Sequence, residues 1–163
     1  MDKKTIINKF WLRFFRIPIV KKYWEKNFKS ISSREIPWTK LNKRLSECKI
    51  SLLTTGGIIL KTDKEFDLND PNGDSTYRRI PDKISKHDLK ISHKYYDHSD
   101  ADLDPNLIFP IDILHELQQE GIVGPSSSYH FSFMGHIKEP HLTTLIKKNS
   151  VEVSKEIKQL KAD

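Results

Sequence analysis

The spacing of hydrophobic positions changes along the chain and predicts strands that alternate with helices. The apolar run from Cys48 to Thr55 predicts a buried strand, which ends at the pair Gly56-Gly57. The segment from Leu89 to His93 predicts a second, shorter strand. The stretch from Tyr129 to His136 predicts a strand or loop edge, with His130 and His136 on one face.

Two segments have helical spacing. In Pro110 to Glu120 a proline suits the first turn, and Gly121 suits the exit. The segment from Val151 to Lys161 carries apolar residues at helical intervals, and a repeating α/β protein would follow such a helix with another strand. The sequence therefore predicts an α/β fold, Rossmann-like, with a mostly parallel sheet that is incomplete.

The segment between residues 61 and 87 is polar and rich in turn-forming residues. Its acidic, amide and glycine residues cluster between Asp67 and Asp74. Long loops of this kind inside a domain are usually functional or disordered. We therefore expect a loop here.

The N-terminal segment from Ile6 to Phe28 combines aromatic residues with basic ones. Helical spacing gives it an aromatic stripe of Phe10, Trp11, Phe14 and Phe15, with Pro18 expected to end or kink the helix. The stripe suits the protein's own body, a partner or a membrane surface, and we favour the first two. We predict a basic aromatic helical arm over residues 1–36 and an α/β domain over residues 37–163, with membrane contact through residues 1–30 as a further option.

The net charge of +6 belongs to the N-terminal part of the chain. Residues 1–50 contain 14 Lys and Arg against 4 Asp and Glu, whereas residues 51–163 contain 14 against 18. This distribution argues against a nucleic-acid partner for the α/β part. A single cysteine, together with the lack of a secretory signal or a long apolar span, makes the cytoplasm the expected location.

Two groups of residues could carry chemistry. Asp74, Ser75 and Arg78 lie in one short motif, and an arginine fork can bind a carboxylate through two parallel hydrogen bonds. The alternative for Arg78 or its neighbour Arg79 is a solvated side chain paired with a loop aspartate. The Gly56-Gly57 pair that follows the predicted strand lacks the lysine of a P-loop and the spacing of a dinucleotide fingerprint, so we reject both kinds of nucleotide-binding motif.

The second group is histidine-rich. His93, Asp97 and His98 form one string, and His130 and His136 lie further along the chain. Imidazole and carboxylate groups suit zinc or iron, and they also suit acid/base catalysis or a hydrogen-bonded structural cluster. The residues alone leave metal binding by these five side chains, catalysis by the first three, and a structural role open.

Six short motifs occur in an order that resembles the selenoprotein B family of glycine, sarcosine, betaine and D-proline reductases. They are Pro37-Trp38, Leu53-Thr54-Thr55-Gly56-Gly57, Gly73-Asp74-Ser75 with Arg78-Arg79-Ile80-Pro81, Ile91-Ser92-His93 with Tyr96-Asp97-His98, Asn106 with Phe109-Pro110, and His130-Phe131-Ser132-Phe133-Met134-Gly135-His136. The resemblance covers roughly residues 37–160.

The resemblance implies reductive cleavage of a carbon–nitrogen bond in a small amino acid or betaine by a selenocysteine or cysteine nucleophile. In the family that nucleophile follows the next strand, beyond the position that matches Lys161, and Cys48 at the start of a buried strand is a poor substitute. The resemblance further implies a substrate-side pocket with polar positions at Thr54, Thr55, Gly56, Asp74, Arg78, His93, Asp97, His98, His130 and His136.

These observations support three hypotheses of function. The favoured one is the substrate-pocket subunit of a split reductase, with the redox selenol or thiol on a partner chain. A stand-alone metal-dependent enzyme that uses the His/Asp cluster is the second, and a non-catalytic binding or regulatory protein is the third.

Overall fold

The computed structural model describes residues 17–27 and 39–163, and the chain divides into two compact units. The first unit is Met1–Lys40 with Tyr95–Asp97, and its helix α1 spans Pro18–Asn27. Pro18 lies at the first position of this helix, where the first turn needs no backbone N–H from the residue. The helix predicted before Pro18 falls outside the described residues. The aromatic stripe from Phe10 to Phe15 lies outside the described residues, and the predicted boundary at residues 36 and 37 stays a prediction.

The second unit is Leu41–Lys94 with His98–Asp163. Its strands are β1 (Leu53–Thr54), β2 (Ile58–Leu60), β3 (Tyr77–Pro81), β4 (Leu89–Ile91) and β5 (Tyr129–Phe133). Its α-helices are α2 (Ser99–Leu103), α3 (Ile111–Gln119), α4 (His141–Thr144) and α5 (Ser150–Gln159), with a π-helical segment at Leu145–Asn149. Short 3₁₀ turns occupy Leu45–Glu47, Lys86–Asp88 and Pro105–Leu107.

The strands form two small sheets. In the three-stranded sheet, central β5 pairs with β1 in parallel and with β3 antiparallel. Strands β2 and β4 form an antiparallel pair. The α/β composition is confirmed, but within residues 17–27 and 39–163 two of the three pairings are antiparallel, so the predicted mostly parallel sheet is not observed.

Hydrophobic side chains cover both faces of the three-stranded sheet. Phe131 and Phe133 pack with Val153 of α5 on one face. A larger cluster includes Ile80, with Ile111 and Leu114 of α3. His130, whose neighbours along β5 are Tyr129 and Phe131, makes an edge contact with Phe109 of this cluster at 5.7 Å between ring centroids. Strand β5 is thus held between helices on its two sides.

The predicted strand from Cys48 to Thr55 is shortened to Leu53–Thr54, preceded by a single parallel bridge between Ile50 and Ser126. Strand β3, conversely, lies inside the predicted loop. The two arginines of this strand made the segment look like a solvated loop in the sequence. In the structure the guanidinium of Arg78 lies 4.4 Å from the ring centroid of Phe66, and that of Arg79 lies 4.2 Å from the ring centroid of Tyr129.

Helices α3 and α5 and strand β4 match their predicted positions closely. Gly121 leaves α3 with a φ of 71°, the left-handed conformation expected at a helix exit. No helix within the described part of the chain is both long and apolar enough to cross a membrane.

Candidate functional site

The carboxyl ends of the parallel strands β1 and β5 lie side by side. Gly57 donates its backbone N–H to Phe133 O at 3.0 Å, and Gly56 forms a bridge with Met134. Thr54 turns its hydroxyl back to accept the N–H of Gly56 at 3.0 Å. Ligands of α/β proteins characteristically bind at the carboxyl edge of parallel strands, so this edge is the candidate site.

His93 lies against this edge, where two glycines allow its close approach. A Cβ on Gly135 would lie 3.6 Å from His93 Nε2, and one on Gly57 would lie 3.0 Å from His93 Cβ. Gly57 also accepts the N–H of Ser92 at 2.8 Å, which fixes the end of β4 beside the glycine turn. The glycine turn predicted after the first strand therefore lies against the side chain of His93.

His93 is uncharged at neutral pH. Only 8% of its surface is exposed. Burial, reinforced by repulsion from His98 and His136, lowers its pKa to about 4. A neutral imidazole can accept a hydrogen bond or a proton through one ring nitrogen, which suits binding or general-base chemistry.

His98 and His136 both act electrostatically on His93, so the structure brings three of the predicted histidines into one region. His98 Nδ1 pairs with Asp102 Oδ2 at 2.7 Å, across one turn of α2. Burial lowers the pKa of His136, and the ammonium groups of Lys138 and Lys94 lower it further. Two positive lysines near His136 favour an anionic group at this end of the site.

The polar loop from Asp67 to Asp74 supports the His136 segment. Gly73 has a φ of 84°, and a Cβ at this position would lie 1.9 Å from His136 O. Lys138 donates its N–H to Asn72 O at 2.8 Å. Only a residue without a side chain fits between the loop and the His136 backbone.

Asp74 and Ser75 are engaged in the same loop. Partial burial by itself would raise the pKa of Asp74, but hydrogen bonds from Thr76 and Asp67 overcome it and leave the pKa below its ordinary value. Ser75 is buried and accepts from Asn149 Nδ2 through both its carbonyl oxygen, at 2.6 Å, and its hydroxyl, at 3.3 Å. The hydrogen bonds of Asp74 and Ser75 within the protein are typical of structural residues.

Arg78 is also bound to its own protein. Its guanidinium donates to Lys64 O (2.9 Å), Thr76 Oγ1 (2.9 Å), Tyr77 O (3.0 Å) and Glu65 O (3.3 Å). Arg79 pairs with Glu156 at 3.0 Å. Because a carboxylate fork needs two parallel free N–H groups, these geometries favour structural roles, and substrate binding by Arg78 stays a prediction.

His130 lies apart from this region, in a network that the sequence did not predict. Its Nδ1 accepts the N–H of Leu52 at 2.9 Å, so its Nε2 carries the proton and donates to Asp82 Oδ1 at 3.1 Å. His115 Nε2, at 2.8 Å, and the Ser126 hydroxyl meet the same oxygen. These bonds outweigh the effect of burial and lower the pKa of Asp82.

His130 is therefore a structural tie between the β1 segment and the end of β3. It is fully buried, which lowers its pKa against the opposing effect of Asp82, and both ring nitrogens are hydrogen-bonded. These hydrogen bonds favour a structural role, and metal binding by His130 stays a prediction. The structural role of His130 depends on its hydrogen bond to Asp82, which lies 48 residues away along the chain. No local sequence motif predicts this pairing.

The five-residue metal set is not assembled as one group. Among residues 17–27 and 39–163, no group of three or more His, Cys, Asp or Glu side chains is placed to hold a metal ion. Asp97 belongs to the first unit, and its catalytic and metal-binding roles stay predictions. Zinc or iron binding by the remaining histidines likewise stays a prediction.

The structure is a mixed α/β unit with a buried histidine, His93, at the strand edge. The chain belongs to the glycine/sarcosine/betaine reductase selenoprotein B family, whose sequence model matches residues 18–162. The resemblance derived from six motifs is thereby confirmed.

Curated relatives carry related names. The D-proline reductase subunit gamma of Acetoanaerobium sticklandii is 37% identical over 98 residues, which are 60% of this chain and 39% of the relative. The glycine reductase complex component B subunit gamma of Symbiobacterium thermophilum is 30% identical over 98 residues, or 58% of this chain and 22% of the relative. The sarcosine reductase complex component B subunit beta of Peptoclostridium acidaminophilum is 30% identical over 100 residues, or 57% and 22%.

The matches thus span well under half the length of these relatives. No solved structure matches the chain significantly.

Proposed function

We propose that this chain forms the substrate-side pocket of a reductase that acts on a small amino-acid-like or betaine-like substrate. The pocket comprises Thr54, Thr55 and Gly56 with His93, His98 and His136. The redox selenol or thiol comes from a partner subunit. The single observation that carries this proposal is the buried, uncharged His93 at the carboxyl ends of β1 and β5.

The chemistry of this edge fits an amino acid better than a fully substituted betaine. A neutral imidazole accepts a hydrogen bond from an ammonium N–H, and a quaternary ammonium has none to donate. Lys94 and Lys138, which lower the pKa of His136, give the same region the positive potential that attracts a carboxylate. We therefore rank primary and secondary amino acids above betaine as substrates.

Cys48 is unsuited to be the nucleophile. Only 1% of its surface is exposed, and its Sγ–H donates to Arg44 O at 3.1 Å. A nucleophilic sulfur needs access to the substrate, and the buried Cys48 thiol does not have it. The names of the curated relatives, as subunits or components of reductase complexes, support a second subunit as the source.

The test measures amine or ammonia release from glycine, sarcosine and betaine, and formation of the ring-opened amino acid from D-proline, with dithiothreitol as the reductant. The chain alone should give no turnover with any of them. The complex purified from source cells, with its selenocysteine- or cysteine-bearing subunit, should turn over one of the amino acids. Turnover by the chain alone, or no turnover by the complex with all four compounds, would contradict the proposal.

Metal-dependent catalysis and non-catalytic binding stay predictions without a supporting geometry in the described residues. Membrane contact through residues 1–30 also stays a prediction.

A further inference from the structure

His98 is held by a carboxylate that none of the six sequence motifs contains. Its Nδ1 lies 2.7 Å from Asp102 Oδ2. A carboxylate can only accept hydrogen bonds, so Nδ1 carries a proton and donates to Asp102. The adjacent acidic residue in the sequence is Asp97, and the pairing of His98 with Asp102 is visible only in the folded chain.

The backbone of α2 fixes the spacing of this pair. Asp102 donates its N–H to His98 O at 2.8 Å, and one helical turn places the two side chains on the same face. Ala101 is buried, with 4% of its surface exposed, and anchors the helix. Beyond the helix, Asn106 Nδ2 donates to Asp112 Oδ2 of α3 at 3.0 Å. The carboxylate of Asp102 therefore lies on a well-supported helix.

The pair contributes little to the stability of this helix. The side chains of His98 and Asp102 are 30% and 51% exposed, and solvent weakens ion pairs that are this accessible. Their order is also unfavourable, since the helix dipole favours an acidic residue on the N-terminal side of its basic partner. Helix stability therefore does not account for the pair, and a role in the neighbouring site is the better explanation.

His98 is also the residue whose charge acts most strongly on His93. Burial is the main cause that lowers the pKa of His93, and repulsion from His98 comes next, ahead of that from His136. Because Coulomb interactions weaken with distance, this order places the His98 ring near the buried imidazole at the carboxyl edge of the strands. The hydrogen bond to Asp102 thus orients a ring at the candidate site.

We propose that Asp102 is a positioning residue that holds the Nδ1–H of His98, so that a bound substrate meets this ring through Nε2. This inference rests on the proposed function and extends the pocket by one residue. The carboxylate fixes both the orientation of the ring and the nitrogen that carries the proton, as acidic partners of functional histidines commonly do. An amide would fix neither, because it can also donate to an unprotonated Nδ1.

The test compares Asp102→Asn, Asp102→Glu and the control Asp100→Asn in the complex with the partner subunit. Asp100 is exposed on α2, so its replacement removes the same charge from the same helix. Asp102→Asn should raise KM for the amino-acid substrate about tenfold, as expected for loss of a hydrogen bond to a charged group, and should change kcat less than about twofold. Asp102→Glu keeps the carboxylate and should restore most of the loss, and Asp100→Asn should leave KM unchanged.

Nitrogen NMR of the isolated chain with labelled histidine measures the tautomer directly and needs no turnover. The uncharged His98 ring should carry its proton on Nδ1 in the native chain and in Asp102→Glu, whereas Asp102→Asn should give a mixture of tautomers. A merely structural pair would not move the tautomer and KM together.

An unchanged KM in Asp102→Asn would overturn the inference, whatever the tautomer, and so would an equal rise of KM in Asp100→Asn. The proposed function would then still stand if His98→Gln lowers kcat/KM. If His98→Gln also has no effect, the inference fails together with the place of His98 in the proposed pocket.

Discussion

Gly73→Ala is expected to destabilise the protein by about 3 kcal/mol or more, through the left-handed backbone penalty and the overpacking of a close contact. The backbone at Gly73 has a φ of 84°, and the added Cβ would lie 1.9 Å from His136 O. Because a backbone oxygen cannot rotate away, the loop must move from the His136 segment. Urea unfolding should show a lower midpoint, and substrate binding should weaken as His136 shifts.

Gly121→Ala is the matched control. Gly121 has a similar φ of 71°, but an added Cβ would meet nothing within 4 Å. Its cost should be only the backbone penalty, about 1–2 kcal/mol. Equal losses for the two variants would show that the contact between the loop and His136 carries no weight in the fold.

His93→Gln should lower kcat/KM of the reconstituted complex by about a hundredfold, the lower end of the usual range for loss of an acid–base group. Glutamine keeps a polar side chain of similar length but cannot take up a proton at neutral pH. His87→Gln, in the exposed 3₁₀ turn Lys86–Asp88, is the control and should leave kcat/KM unchanged. Initial rates at saturating substrate give kcat, and those at low substrate give kcat/KM, so the two together show whether kcat or KM changes.

The same variant should change how stability depends on pH. In the unfolded chain His93 titrates near its ordinary pKa of 6.5, whereas in the folded protein it titrates near 4. Between these values the unfolded state binds more protons, so the contribution of His93 to stability is lost as the pH falls from 6.5 toward 4. The slope is at most about 1.4 kcal/mol per pH unit.

Unfolding free energies measured from pH 7 to pH 4 should therefore decline more steeply for the native protein than for His93→Gln. The comparison with the variant removes the shared contribution of carboxylates such as Asp82. Parallel curves would mean that His93 is not held neutral by burial.

The elements predicted from sequence are those with an intact local pattern. The helix Ile111–Gln119 has a proline before it, a glycine soon after it and an apolar face, and all three signals act within a few residues. Strand Tyr77–Pro81 was not predicted, because the sequence suggests that Arg78 and Arg79 are solvated. The aromatic rings that their guanidinium groups contact, and the carbonyls of Lys64 and Glu65 that Arg78 bonds, lie outside the strand, and the chain order does not reveal them.

The candidate site divides in the same way. The glycine turn after β1 and the His93 motif were readable because strand-end chemistry is local, and the structure brings them together with His136. His130 could not be assigned correctly from its neighbours, since its partners Leu52 and Asp82 lie 78 and 48 residues away.

The most direct test of the account is the turnover of the purified complex that carries Cys48→Ser. Because the Cys48 thiol is buried and hydrogen-bonded to Arg44 O, the proposed function assigns the nucleophile to the partner subunit and not to Cys48. The account predicts a kcat within twofold of the native complex, and the complex should still lose activity when the partner's selenol or thiol is alkylated. A loss of a hundredfold or more in kcat on Cys48→Ser, with the complex and its fold intact, would contradict it.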